Sequence, residues 1–241
     1  MLKALQNSLL SLIYPQECRV CSSNVDSRDD GVACAACWSD TRIFSGSEML
    51  CAKCGSFFGV EAAPVSVFCH KCDEHHYDHA VAAGVYEKAL AASIIHLKTA
   101  PVMPIRLNVA LRHALQRINS SVDLIIPIPL SKQRLLERGF NQAGIIAAEI
   151  ARFIHIPIDA SSLVRKLHTP IHRIGMDQKA RELTVRNAFE VVRPKLVQGK
   201  NILLVDDVFT SGATASHCAK ILKKNGAGRV NVFTLARAVM R

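Results

Sequence analysis

Past residue 78 the apolar positions follow two alternating rhythms. The run DLIIPIP (123–129) is continuously apolar after its first residue and ends in prolines, which suits a strand buried on both faces and leaving its sheet. KNILLVDD (200–207) is the clearest strand, and AVAAGVYEK (80–88), SSLVRKL (161–167) and RVNVFTLARAV (229–239) read as others. Between them the spacing turns helical: LAASIIHLK (90–98), MPIRLNVALRHALQRI (103–118), FNQAGIIAAEIARFI (140–154), DQKARELTVRNAF (177–189) and GATASHCAKILKKNGA (212–227). Gly226 closes the last helix, as a C-terminal cap requires. Strands alternating with helices predict an α/β fold built on an open, mostly parallel sheet.

The first 77 residues lack that rhythm. They open on MLKALQNSLLSLI, whose Leu2, Leu5, Leu9 and Leu12 or Ile13 share one side of a short amphipathic helix. The segment lacks a strong basic start and a small-residue cleavage site, so it is not read as a signal peptide. No apolar run reaches the roughly 18–20 residues a membrane span needs, and a cytoplasmic location is expected. Composition, at 49% hydrophobic and 21% charged residues, excludes a disordered chain.

Eight of the nine cysteines form four CxxC pairs: Cys18/Cys21, Cys34/Cys37, Cys51/Cys54 and Cys69/Cys72. A CxxC turn aims two thiolates at one point, and two turns complete a tetrahedral zinc site. The pairs predict one or two closed, structural zinc sites that replace a core in a small segment. Sequential pairing and a crossed arrangement both satisfy the spacing. His70, His75, His76 and His79 are expected at the surface rather than as ligands, and Cys218 as a small core residue. A zinc-ribbon domain over 1–77 and a second domain over 78–241 follow.

Charge sharpens the division. Residues 1–75 carry 6 Lys+Arg against 9 Asp+Glu, and the remainder 24 against 11, within a net charge of +10. The basic part should attract phosphates or nucleic acid, although aromatic residues for base stacking amount to only 5%.

The stretch ILLVDDVFTSGAT (202–214) carries the candidate chemistry. A buried strand delivers Asp206 and Asp207 to its carboxyl end, where α/β sheets bind ligands. The small, hydroxyl-rich turn Thr210-Ser211-Gly212-Ala213-Thr214 leads into a helix whose N-terminus favours an anion. Carboxylates suit sugar hydroxyls and a hydrated Mg²⁺; together the elements describe a sugar-phosphate site.

VDDVFTSGAT resembles the binding motif for 5-phosphoribosyl 1-diphosphate (PRPP) in type I phosphoribosyltransferases. The order of four CxxC knuckles, IIHLK, IIPIPLS, RGFNQA, RKLHTP, QKARELTVRNAF and VDDVFTSGAT is similar to the ComF family, double-zinc-ribbon proteins with a phosphoribosyltransferase-like domain. Thr99 after Lys98 and the triplet His168-Thr169-Pro170 depart modestly from its pattern. The resemblance implies that Asp206 and Asp207 take the ribose hydroxyls and that residues 210–214 hold the 5-phosphate. It also implies a diphosphate-contacting loop at Pro127–Ser131, including Pro129, with Lys98, Arg134 and Arg138 facing diphosphate oxygens. A guanidinium fork suits that role, but Arg138 could equally fix the loop through backbone carbonyls; Asn141 and Gln142 could cap a helix or touch ligand. Two functions follow: a Mg²⁺-dependent phosphoribosyltransferase of unassigned acceptor acting in DNA uptake, or a non-catalytic factor binding single-stranded DNA and other competence proteins. On either reading the ribbons are expected to dock partners, and residues 1–75 to be dispensable for PRPP binding.

Overall fold

The computed structural model describes residues 15–59, 66–166 and 188–239. The predicted N-terminal helix, the triplet 168–170 and most of the predicted helix 177–189 lie outside the described residues. In chain order the elements are α1 (Ala35–Ser39), β1 (Met49–Leu50), β2 (Phe57–Gly59), β3 (His79–Val85), α2 (Lys88–Leu97), α3 (Ile105–Leu115), β4 (Leu124–Pro127), α4 (Lys132–Arg138), α5 (Gln142–Ile154), β5 (Leu163–Arg165), β6 (Phe189–Val191), α6 (Pro194–Val197), β7 (Ile202–Phe209), α7 (Ala213–Lys224) and β8 (Val230–Arg237).

Four strands form one all-parallel sheet in the order β3-β8-β7-β4. Their near-continuous apolar sequences are buried on both faces, as parallel strands require. Alternation along each strand divides the core into two layers. Ile125, Leu203, Val205 and Phe233 meet Leu90 and Ile94 of α2, Leu107 and Leu111 of α3, and Ile146 and Ile150 of α5. Ile126, Leu204, Val230 and Val232 meet Cys218, Ala219 and Leu222 of α7, together with the antiparallel pair β5-β6. Among the described residues no helix is long and apolar enough to cross a membrane.

This layering positions the site. Strands β4 and β7 are neighbours, with Pro127 opposite Val205. The chain leaving β4 returns through α5 on the first face, whereas the chain leaving β7 returns through α7 on the second. Neighbouring strands whose connections run to opposite faces open a crevice at their carboxyl ends.

The cysteine segment is built into both layers. Cys18, Cys34, Cys37 and Trp38 belong to the first, and Cys51, Cys54, Cys72 and Tyr77 to the second. Between them residues 42–44 run along β3: Phe44 donates its N–H to Ala83 O (2.9 Å), and Val85 to Arg42 O (2.9 Å). Metal therefore does not stand in for a core here; it adds to one shared with the sheet. Removing residues 1–75 would uncover β3 and part of both layers, so that truncation is not the clean test of the pocket expected of a small segment with closed metal sites.

Candidate functional site

The four CxxC turns assemble sequentially, first with second and third with fourth. Cys18, Cys21, Cys34 and Cys37 form one tetrad and Cys51, Cys54, Cys69 and Cys72 the other, each with its sulfurs within 4.8 Å of one another. Individual separations are 3.8 Å for Cys18–Cys37, 3.6 Å for Cys21–Cys34, 3.6 Å for Cys51–Cys72 and 3.4 Å for Cys54–Cys69. Tetrahedral Zn–S bonds of about 2.3 Å require S···S edges of roughly 3.8 Å. Two four-sulfur sites of that size fit structural zinc, with no position open for water. The residue after each leading CxxC adopts a left-handed backbone, Ser22 at φ 61° and Gly55 at φ 66°, which folds the chain back over the sulfurs. Backbone N–H groups of Cys34 and Cys69 then donate to Cys18 Sγ and Cys51 Sγ, each at 3.3 Å, as thiolate ligands require.

At the crevice, β7 runs on through Asp206 and Asp207 to Phe209, so the acids lie within the strand's last half rather than beyond it. Asp207 N–H donates to Asp206 Oδ1 at 2.9 Å, and Val208 N–H to Asp207 Oδ1 at 2.8 Å. Lys98, the C-cap of α2, brings its Nζ to 3.4 Å from Asp207 Oδ2. Asp206 keeps some exposed surface, but desolvation of its carboxyl, followed by the like charge of Asp207, pushes its pKa up to about 8. A carboxyl buried beside another resists ionisation until hydroxyl donors or a further cation arrive.

The loop follows directly. Thr210 and Ser211 are exposed, and Gly212 is buried as the N-cap of α7 in a left-handed conformation, φ 78°. A Cβ there would collide with the Phe209 ring and lie 3.0 Å from His75 Cε1; only glycine fits. Ser211 Oγ accepts from Ala213 N at 3.4 Å. The first-turn N–H groups of α7, which also carries Thr214, open toward an anion.

Just past β4, Ile128 N–H donates to Val205 O at 2.8 Å, which continues the pairing with β7 and sets Pro129 beside the acids' strand. Ser131 caps α4 by accepting from Arg134 N at 3.4 Å. Asn141 resolves toward structure: Oδ1 accepts from Ala143 N at 3.1 Å, capping α5, while Nδ2 donates to Ile128 O at 3.0 Å. Gln142 is buried, with its Nε2 unpartnered among the described residues. Helix α4, not foreseen from the sequence, carries Arg134 and Arg138 and buries none of its residues. Neither arginine makes an ion pair or side-chain hydrogen bond with a described residue, so the alternative of Arg138 bracing the loop through carbonyls finds no partner there. Lys98 thus meets Asp207 directly, while Arg134 and Arg138 stand on α4 without contacting either acid.

The sequence reading missed the layer beneath the loop. His75, expected at the surface, is half-buried, and its Nδ1 lies 2.6 Å from the hydroxyl of the buried Tyr77. The Tyr77 ring meets the Phe209 ring edge-on at 5.8 Å. Arg237, at the end of β8, stacks over Phe209 with Cζ 4.3 Å from the ring centroid. A short cysteine-rich segment gives no periodicity to signal such packing. Cys218 is fully buried as expected, its thiol pushed well up by burial.

Sulfur tetrads on both faces of an open parallel sheet, with acids and a glycine-capped loop at its carboxyl edge, define a double-zinc-ribbon α/β protein. The model of the double zinc ribbon domain family matches residues 9–74. Competence protein F of Haemophilus influenzae is 30% identical over 231 residues, 92% of this chain and 96% of that protein, and the chain belongs to this ComF family. DNA utilization protein YhgH of Shigella flexneri is 34% identical over 117 residues; that match covers 48% of this chain and about half, 50%, of the relative's length. Among solved structures, glutamine PRPP amidotransferase from B. subtilis complexed with ADP and GMP aligns over 61% of this chain and 26% of its own, at 22% identity and TM-score 0.34.

Proposed function

We propose that the crevice between β4 and β7 binds PRPP or a related sugar phosphate, and that the protein acts in the uptake or use of external DNA. The observation that carries the site is the adjacency of Asp206-Asp207 to the Gly212-capped N-terminus of α7 on one strand-loop-helix unit. The loop's N–H groups and hydroxyls take the 5-phosphate, and the two carboxyls accept from the ribose hydroxyls. Lys98 neutralises Asp207 until ligand arrives and is then free for a diphosphate oxygen, with Arg134 and Arg138 approaching from α4. Among the described residues both metal-ligand clusters are cysteine tetrads, so Mg²⁺ would enter on the diphosphate, as this cation commonly does; bound there, it neutralises leaving-group charge. In catalysis an acceptor nitrogen would form its bond to the anomeric carbon as the C1–O bond breaks and the diphosphate departs. The chain would supply positioning and charge. The names of the two curated relatives support the cellular role.

A second reading keeps the pocket and drops the chemistry. It is favoured by α4, where Arg134 and Arg138 have no ion-pair or side-chain hydrogen-bond partner among the described residues and stand beside Leu136, which is 85% exposed. Such a face suits the phosphates of single-stranded DNA. Competition separates the readings: PRPP with Mg²⁺ should bind the purified protein and release diphosphate when an acceptor is present. Salt-sensitive DNA binding that PRPP does not compete, without diphosphate release from any acceptor tried, would favour the second.

A further inference from the structure

The second cysteine tetrad lies directly behind the loop. Arg237 is only 8% exposed, yet no carboxylate pairs with it among the described residues. Its guanidinium donates to the Cys54 carbonyl, and its Nη2 lies 3.4 Å from Cys54 Sγ. A buried cation needs a countercharge. Four thiolates around one Zn²⁺ make a doubly negative centre, which supplies it. The other face of the contact is the Phe209 ring, which occupies the space a Gly212 side chain would need. Other links run in parallel. Lys53, inside the third CxxC turn, donates Nζ to His75 O at 2.8 Å. His75 packs against Gly212, and His76 N–H donates to Ser216 Oγ in the first turns of α7 at 3.0 Å. A cavity of about 80 Å³ lined by Cys54, Cys72, His75, Ser211 and Arg237, among others, lies between tetrad and loop. The first tetrad packs instead with Trp38 and helices α2 and α3 in the other layer.

We propose that Arg237 is the counter-ion of the second zinc-thiolate centre and a positioning residue for the phosphate loop, so that metal occupancy at this tetrad alone sets the loop's order and its phosphomonoester affinity. The ligand half of this inference rests on the phosphate reading above; the tether itself does not. Zinc loss would leave Arg237 without its countercharge, shift Phe209 and release Gly212. The reverse linkage also holds: ligand on the loop tightens the metal at the second tetrad.

The test compares full-length Cys69→Ser, Cys21→Ser, Arg237→Gln and Arg237→Lys. Native mass spectrometry should count two zincs in wild type and both Arg237 variants, and one in each serine variant. Amide hydrogen exchange over residues 209–216 should quicken at least tenfold in Cys69→Ser and Arg237→Gln, stay unchanged in Cys21→Ser, and recover in part in Arg237→Lys. Ribose 5-phosphate affinity should fall at least tenfold in the same two variants and stay within twofold in Cys21→Ser. With cobalt in place of zinc, ribose 5-phosphate should shift the thiolate absorption of wild type but not of Arg237→Gln. Loop exchange in Arg237→Gln equal to wild type overturns the tether. That variant keeps every metal ligand, so it decides the matter even if Cys69→Ser fails to fold. The expected exchange pattern without ribose 5-phosphate binding by wild type would leave the tether standing and remove the phosphate reading.

Discussion

The two cysteine tetrads share the CxxC unit, a turn and nearly the same sulfur separations, yet they sit in different halves of the molecule. The first is a cornerstone of the layer holding α2 and α3. The second abuts Arg237, Phe209 and His75 beneath the strand end and loop of the candidate site. A motif that reads as pure scaffold therefore has two meanings, set by what stands behind each tetrad rather than by the ligands.

The largest effects should come from removing a buried ligand. Cys37→Ser and Cys51→Ser should each lower unfolding free energy by roughly 4 kcal/mol or more, measured by urea denaturation with zinc present. Similar losses in both, with disturbed loop exchange only in Cys51→Ser, would sharpen the comparison; disturbed loops in both would break it.

Backbone strain gives the next pair. Gly212→Ala forces a side chain into a left-handed residue against Phe209 and His75 and should cost about 3 kcal/mol, with loss of sugar-phosphate binding. Gly139→Ala meets φ 76° but open space and should cost only about 1 kcal/mol. Equal costs would mean that the loop is not packed from behind.

A pH effect of a few kcal/mol at most follows from Asp206. Its carboxyl holds a proton in the folded state up to about 8, whereas the unfolded chain releases it near 4. Stability tied to this group is complete below about pH 4 and lost as pH rises through about 8. Asp206→Asn should therefore melt several degrees above wild type at pH 8.5, and the gap should narrow at pH 5. A gap independent of pH would contradict the burial of that carboxyl.

The smallest pair removes one hydrogen bond from each half. Trp38 Nε1 donates to Asp30 O at 2.9 Å, and the Tyr77 hydroxyl meets His75. Tyr77→Phe should cost about 1 kcal/mol by thermal melts and Trp38→Phe about 2 kcal/mol, because the latter also removes buried ring atoms, and only Tyr77→Phe should speed exchange at Gly212.

Much of the architecture was legible because parallel strands announce themselves as unbroken apolar runs: 123–129, 200–207 and 229–239 all became sheet strands. The acids, the turn and the helix stop were equally visible, because each depends on a local rule of strand end, helix N-terminus or left-handed residue; Asn225 is the C-cap, and Gly226 follows it at φ 88°. Helix α4 was not, since a helix that buries nothing has no apolar stripe. Short pairs such as β1-β2 and β5-β6 are too brief for alternation to register. The contacts of His75 and Tyr77 with the loop join residues more than a hundred positions apart, and that of Arg237 with Phe209 crosses from one strand to the next, so no local pattern encodes them. Pairing of the knuckles stayed open for the same reason and needed the sulfurs' positions.

The most direct test of the central claim is calorimetric titration of Mg²⁺-PRPP into the zinc-loaded protein and into the Asp206→Asn/Asp207→Asn double variant. The account predicts saturable binding to the wild type and its loss in a double variant that stays folded with two zincs. Equal affinity in both, or no binding to the wild type, would contradict it.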